Sequence, residues 1–122
     1  MNNEIFTQVV TQRLEGVQAT LLAKADEYAR GDRLSNFKKI AAFRKKTPEE
    51  VLFGMVVKHI AALDDFIQDL DTGTIQAYPR WDEKIGDIMA YMILLDALAQ
   101  ERAEGREREQ VERSIEHEGE TR

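Results

Sequence analysis

Glu83, Asp87 and Tyr91 stand four residues apart in WDEKIGDIMAYMILLDALA, Trp81 to Ala99. On a helix that spacing places all three on one face. Two carboxylates one turn apart can share a hard divalent cation such as Mg²⁺, which keeps its other positions for water and phosphate oxygens. Asp87 draws notice for a second reason. From Ile85 to Ala99 the only charges are Asp87 and Asp96. A carboxylate in so apolar a helix must be paired, protonated or bound to a cation. The plainer alternative has Glu83 exposed near the helix start, Asp87 paired with a Lys or Arg, and Tyr91 in the core.

Lys58 and His59 form a second candidate pair. Lys58 lies among Val56, Val57 and Ile60, so it either snorkels to water or meets an anion in a cleft. A third alternative pairs Lys58 with Asp87. His59 falls on an apolar stripe, as a ligand-binding or a hydrogen-bonded core residue. A third group is Lys24 and Tyr28, followed by Asn36 and Phe37. Asn36 offers donor and acceptor to a base edge, and Tyr28 or Phe37 offers a ring for stacking. In the alternative, Asn36 supports a turn and Phe37 packs inside. Asp65 is a further acid within reach of helix periodicity from Lys58.

Four helices and a tail are expected to position these groups. The first runs from about Asn3 to Ala29, with an apolar stripe from Ile5 to Leu22. Ser35 is expected to cap a short second helix through about Lys45. Thr47-Pro48-Glu49-Glu50 is a start signal, with Thr47 as cap, Pro48 at the first position and Glu50 at the capping-box position. The third helix then reaches about Leu70, with Leu52, Met55, Val56, His59, Ile60, Leu63, Phe66, Ile67 and Leu70 on its stripe. A turn at Asp71 to Thr74 and a break at Tyr78-Pro79 precede a fourth helix that starts near Arg80 or Trp81. Its apolar part, Ile85 to Ala99, has no face for water and predicts a central position in a bundle or an oligomer interface. Residues 1–99 are thus a helical bundle domain. Residues 100–122 carry eight Glu and five Arg. They are expected as a charged helical extension, interrupted or frayed at Gly105, with a disordered end.

Composition sets outer bounds. A chain of 122 residues suffices for one core. It has no cysteine, which excludes disulfides and thiolate metal sites. No apolar run reaches membrane-spanning length, and the first residues lack the order of a signal peptide, so a cytoplasmic location without membrane contact is expected. A net charge of −6 argues against general nucleic-acid binding. Arg30 to Lys46 is the exception, with seven basic side chains against Asp32 alone. It reads as a phosphate-facing patch or as a solvated helix face.

KADEYARGDRLSNF, GMVVKHIAAL and above all EKIGDIMAYMILL resemble the all-α nucleoside triphosphate pyrophosphohydrolase superfamily, the MazG-like proteins. The phage-associated branch, with its nucleotide-modification-associated domains, is the most similar. The resemblance covers about Leu21 to Ala99. It implies an all-α, four-helix MazG-like bundle that forms a homodimer or higher homo-oligomer. It also implies Mg²⁺-dependent cleavage of a nucleotide between its α and β phosphates. Asp87 matches the aspartate of the family's E-x-x-D pair, whose glutamate falls on Lys84, with Glu83 one residue earlier. Lys58-His59 stand where the family has an E-x-x-E motif. Glu83, Asp87 and Asp65 are therefore the expected metal ligands, with Glu83 and Asp87 catalytic. Lys24, Tyr28, Asn36, Phe37, Lys58, His59 and Tyr91 are the expected nucleotide contacts. A non-catalytic nucleotide-binding or sequestering phage or prophage accessory protein is the alternative on the same scaffold.

Overall fold

The computed structural model describes residues 1–27 and 32–120, with side-chain surroundings for 1–23 and 32–116. The chain is all-helical among the described residues, with α1 Asn3–Glu27, α2 Ser35–Arg44, α3 Pro48–Leu70 and α4 Tyr78–Glu120.

Local chemistry explains most boundaries. Thr47 is extended, and its Oγ1 accepts the Glu50 N–H at 3.1 Å, with Pro48 opening α3. The start of α2 differs from expectation. Asp32 Oδ1 accepts the Leu34 N–H at 2.8 Å and the Asp32 carbonyl accepts the Ser35 N–H at 3.0 Å, so Ser35 is the first helical residue and not its cap. Lys45 closes α2 in the left-handed conformation, φ 55°. The Lys46 N–H then returns to the Ala41 carbonyl at 2.9 Å. Gly73, at φ 81°, supplies the positive φ of the turn after α3.

Helix α4 begins at Tyr78, two to three residues earlier than expected. Pro79 lies in its first turn, where a missing N–H costs nothing. The helix also passes through Gly105 without the expected interruption, and continues to Glu120. One glycine costs about 1 kcal/mol in a helix. Strong helix formers on both sides and Glu–Arg pairs one turn apart, such as Glu109–Arg113, offset it.

Helix α3 packs antiparallel to α4. Glu49 meets Arg102 at one end, and Phe66 meets Trp81 edge-on at the other, ring centroids 5.3 Å apart. Leu52, Val56 and Leu98 are fully buried between them, joined by Leu34. Phe37, Ile88, Tyr91, Leu94 and Leu95 pack against this centre. Helix α2 rests on α3 and α1 on α4. The α1 and α4 directions are parallel. Arg13 reaches Asp82 (2.6 Å) and Tyr78 near the start of α4, whereas Thr20 and Leu21 stand opposite Ala90, Tyr91 and Leu94. Gly86 gives the Arg13 guanidinium room, since a Cβ there would lie 3.2 Å from its Nη1.

Two packing expectations do not hold within one copy. Ile85 to Ala99 is flanked by α1 and α3 but not enclosed, and Met92, Ile93 and Asp96 stay exposed. On α1 only Val17 of the expected stripe is buried. Ile5, Phe6, Val9 and Val10 are exposed because the first turns of α1 lie beyond the start of α4, and Leu14 and Leu22 point away from α4.

Two ionic clamps tie the bundle where α4 leaves it. Arg102 holds Glu49 through both carboxylate oxygens, at 2.7 to 3.1 Å. Lys38 bridges Asp32 and Glu101. The Arg102 guanidinium keeps the Glu49 carboxyl below its ordinary range, and the Lys38 ammonium does the same for Asp32. A depressed folded-state pKa gives stability that is present at neutral pH and lost as pH falls. The melting temperature of the wild type should therefore hold from pH 7 downward until the ordinary values, 4.5 for Glu49 and 3.8 for Asp32, are approached. It should then drop. Thermal melts followed by circular dichroism should show a smaller acid-dependent drop for Glu49→Gln than for the wild type.

Candidate functional site

One cavity of about 590 Å³ opens between all four helices. Thr20 and Leu21 come from α1, and Met55 and His59 from α3. Asp87, Ala90, Tyr91 and Leu94 come from α4. Asn36, Phe37, Lys39 and Ile40 come from α2, with Arg33 just ahead of it. The cavity exists because α1 and α2 each lean on a different member of the α3–α4 pair and, among the described residues, do not pack on one another.

Asp87 is half-exposed into this cavity, so it is not the dry carboxylate that the apolar sequence around it suggests. Partial solvation relieves much of its burial cost. His59 is its nearest ionisable neighbour. Nδ1 of His59 lies 3.7 Å from Asp87 Oδ2, an ion-pair distance when the imidazole is protonated and beyond a hydrogen bond. That nitrogen is buried and has no hydrogen-bond partner among the described residues. The His59 and Tyr91 rings lean on each other with centroids 5.4 Å apart, which fixes the imidazole against α4. Phe37 and Tyr91 give the cavity aromatic walls, and Asn36 adds an amide edge. Arg33 donates to the Leu21 carbonyl at 3.0 Å and joins the segment before α2 to the end of α1. Lys39 is exposed at the rim.

Five of the sequence candidates thus meet at one place: Asn36, Phe37, His59, Asp87 and Tyr91. Others do not join them. Glu83, Lys58 and Asp65 are exposed and line no part of the cavity. Lys58 and His59 are neighbours in sequence but point about 100° apart on α3, so His59 takes the place beside Asp87 that Lys58 was a candidate for. Lys24, in its side chain, and Tyr28 lie outside the described residues. The lining also holds Arg33 and Lys39, which the sequence offered only as two members of a basic segment. Asp32 and Leu34 bracket Arg33, and the Asp32 side chain closes the turn around it by accepting the Leu34 N–H.

Among the described residues, no group of three His, Asp or Glu side chains converges as a metal-ion site. The donor set in the cavity is one carboxylate with one imidazole beside it. This fits a single Mg²⁺ that takes most of its oxygens from water and phosphate, and does not fit a site with several acids.

No known protein family, curated protein sequence or solved structure matches this chain.

A cation held by Asp87 alone needs a second source of oxygen ligands. Calorimetric titration of the protein with MgCl₂ and no nucleotide should show no saturable heat in the micromolar range. Micromolar binding without nucleotide would mean that other acids join Asp87.

Proposed function

We propose that the protein binds a nucleotide in the cavity between the four helices and acts on it as a divergent, Mg²⁺-dependent nucleoside triphosphate pyrophosphohydrolase. The observation that carries this reading is the convergence of Asn36, Phe37, His59, Asp87 and Tyr91 on one cavity with Arg33 and Lys39 at its edge. A nucleotide needs an aromatic wall for its base, a polar edge to read it and cations for its phosphates. The cavity offers one of each, in a volume within the usual range for a small-molecule site. The MazG-like resemblance supports the choice of reaction. Self-association as a homodimer or higher oligomer belongs to the same reading.

In this reading Phe37 and Tyr91 sandwich or flank the base, and Asn36 meets its edge. Lys39 and the cationic rim receive the phosphate tail. Asp87 supplies the protein's oxygen ligand to Mg²⁺, which when bound would neutralise triphosphate charge and lower the pKa of a water. Attack of water oxygen on the α phosphorus breaks its bond to the α–β bridging oxygen, so the products are a nucleoside monophosphate and pyrophosphate. In this reading His59 orients the Asp87 carboxylate, which lies 3.7 Å from its buried Nδ1.

One observation favours a second reading. Among the described residues Asp87 is the only acidic one that lines the cavity, and Glu83 and Asp65 stand apart from it. A sequestering accessory protein needs the pocket but no set of metal-holding acids. The two readings separate in one experiment. Nucleoside mono-, di- and triphosphates are titrated calorimetrically with and without Mg²⁺, and each mixture is then assayed for product. The proposal expects pyrophosphate, not orthophosphate, from a triphosphate. It expects Asp87→Asn to lower turnover at least 100-fold (two decades being about 2.7 kcal/mol) with unchanged circular dichroism. Intact nucleotide recovered after long incubation would establish the sequestering reading. No binding across the panel would remove both.

A further inference from the structure

The end of the bundle that carries the α3–α4 turn is unusually apolar and uncovered. The first turns of α1 project past the start of α4 and present Ile5, Phe6, Val9 and Val10 to solvent, with Leu14 just behind. The same end exposes Ile67 and Leu70 from α3, Ile75 from the turn and Tyr78 from α4. We propose that this end face is a self-association surface, in which a second copy of the chain lays its own α1 across it about a two-fold axis.

Area is the first argument. The chain exposes 9715 Å², whereas a compact monomer of 14.0 kDa exposes roughly 6,700 Å². The free end of α4 accounts for part of the excess, and the uncovered start of α1 for another part. The exposed apolar residues at this end present on the order of 800 Å², a standard share for one partner in a stable interface and more than a typical monomer leaves in one patch.

Charge is the second argument, and it selects the occupant. From Asn3 to Leu22, α1 carries only Glu4, Arg13 and Glu15, and Arg13 is already paired with Asp82. The α1 stripe itself therefore carries little charge for an acidic or basic partner to complement, and the carboxylates of this end, Asp69 and Asp71, belong to the end of α3 and the turn after it. The acidic extension of α4 leaves the bundle at the opposite end, beside Glu49 and Lys38. Docking through the α1 end keeps two like-charged extensions apart, which docking at the other end would not. Geometry is the third. The face of α1 that carries Val17 onto α4 continues through Phe6 and Val10 at helical spacing. A second copy would continue a stripe that one copy leaves half-used. This deepens the self-association named above, and it does not depend on nucleotide binding.

Light scattering from 1 to 100 µM protein, as an order-of-magnitude range for such an interface, reads the outcome with no nucleotide present. Wild type should have twice the 14.0 kDa chain mass. Phe6→Glu combined with Val10→Glu should weaken the dimer at least 100-fold. Phe43→Glu, which places a carboxylate at the still more exposed end of α2, should leave it intact. Circular dichroism checks the double variant's helicity. If that is lost, Val9→Cys decides instead: the chain has no other cysteine, so oxidation should yield a covalent dimer, and Phe43→Cys should not. A dimer that survives the double variant, or one that Phe43→Glu breaks, overturns the interface while leaving self-association in place. A monomeric wild type overturns both. Co-sedimentation of that monomer with phosphatidylcholine vesicles would assign the face to lipid.

Discussion

The antiparallel contact between α3 and α4 is the constraint on which everything else hangs. Leu52 and Val56 on one side and Leu98 on the other are sealed from water, with Leu34 closing the group. Burial of such side chains is worth about 1.5–3 kcal/mol each, and few other residues of the chain are as completely enclosed. Among the described residues, helices α1 and α2 add to this pair without packing on one another. That arrangement leaves the gap in which His59, Asp87 and Tyr91 face Asn36 and Phe37. A tighter four-helix bundle would have filled it with side chains.

The polar chemistry of the gap follows from its walls. Asp87 sits where α4 faces the gap instead of α3's apolar centre, so water reaches it. His59 is one turn further along α3 than Met55 and about 100° round from the exposed Ile60, and it lands beside that carboxylate. The imidazole rests on Tyr91, a residue one turn beyond Asp87 on the same face of α4. The cluster is therefore built from one turn of each of the two central helices, and small shifts between α3 and α4 would alter its distances directly.

Helix type and order were readable because strong local signals agree with the global fold. Thr47 and Pro48 mark the start of α3, and the three-and-four spacing of Leu52, Val56 and Phe66 marks its buried face. The start of α2 was not readable, because Ser35 is a good cap by type, whereas Leu34 holds the cap position without a side-chain bond and Asp32 closes the turn before it. The run through Gly105 was not readable either, since one glycine amid helix formers is a weak stop. For the site, Asp87 and Tyr91 were legible from their four-residue spacing in an apolar helix. Glu83 shares that spacing yet stays exposed one turn before Asp87, outside the cavity lining. Periodicity gives a face, and it does not give the length of that face which another helix covers. His59 against Lys58 is the same limit in miniature: two adjacent residues, of which the rotation of α3 admits only one.

Helix α4 links the cavity to the far tip of the molecule through one unbroken run of backbone hydrogen bonds from Tyr78 to Glu120. At 1.5 Å per residue its 43 residues make a rod about 64 Å long. Asp87 and Tyr91 lie in its first half, the ionic clamps at Glu101 and Arg102 act as its fulcrum, and some 27 Å of helix stands beyond them. A rod so mounted is a lever. A tilt of about 10° about the clamps, small on the scale of the ordinary adjustments of packed helices, would carry the tip through roughly 5 Å. Under the nucleotide-binding proposal, a tilt of α4 at Asp87 would therefore reach the charged end of the helix, with no break between Tyr78 and Glu120 to absorb it.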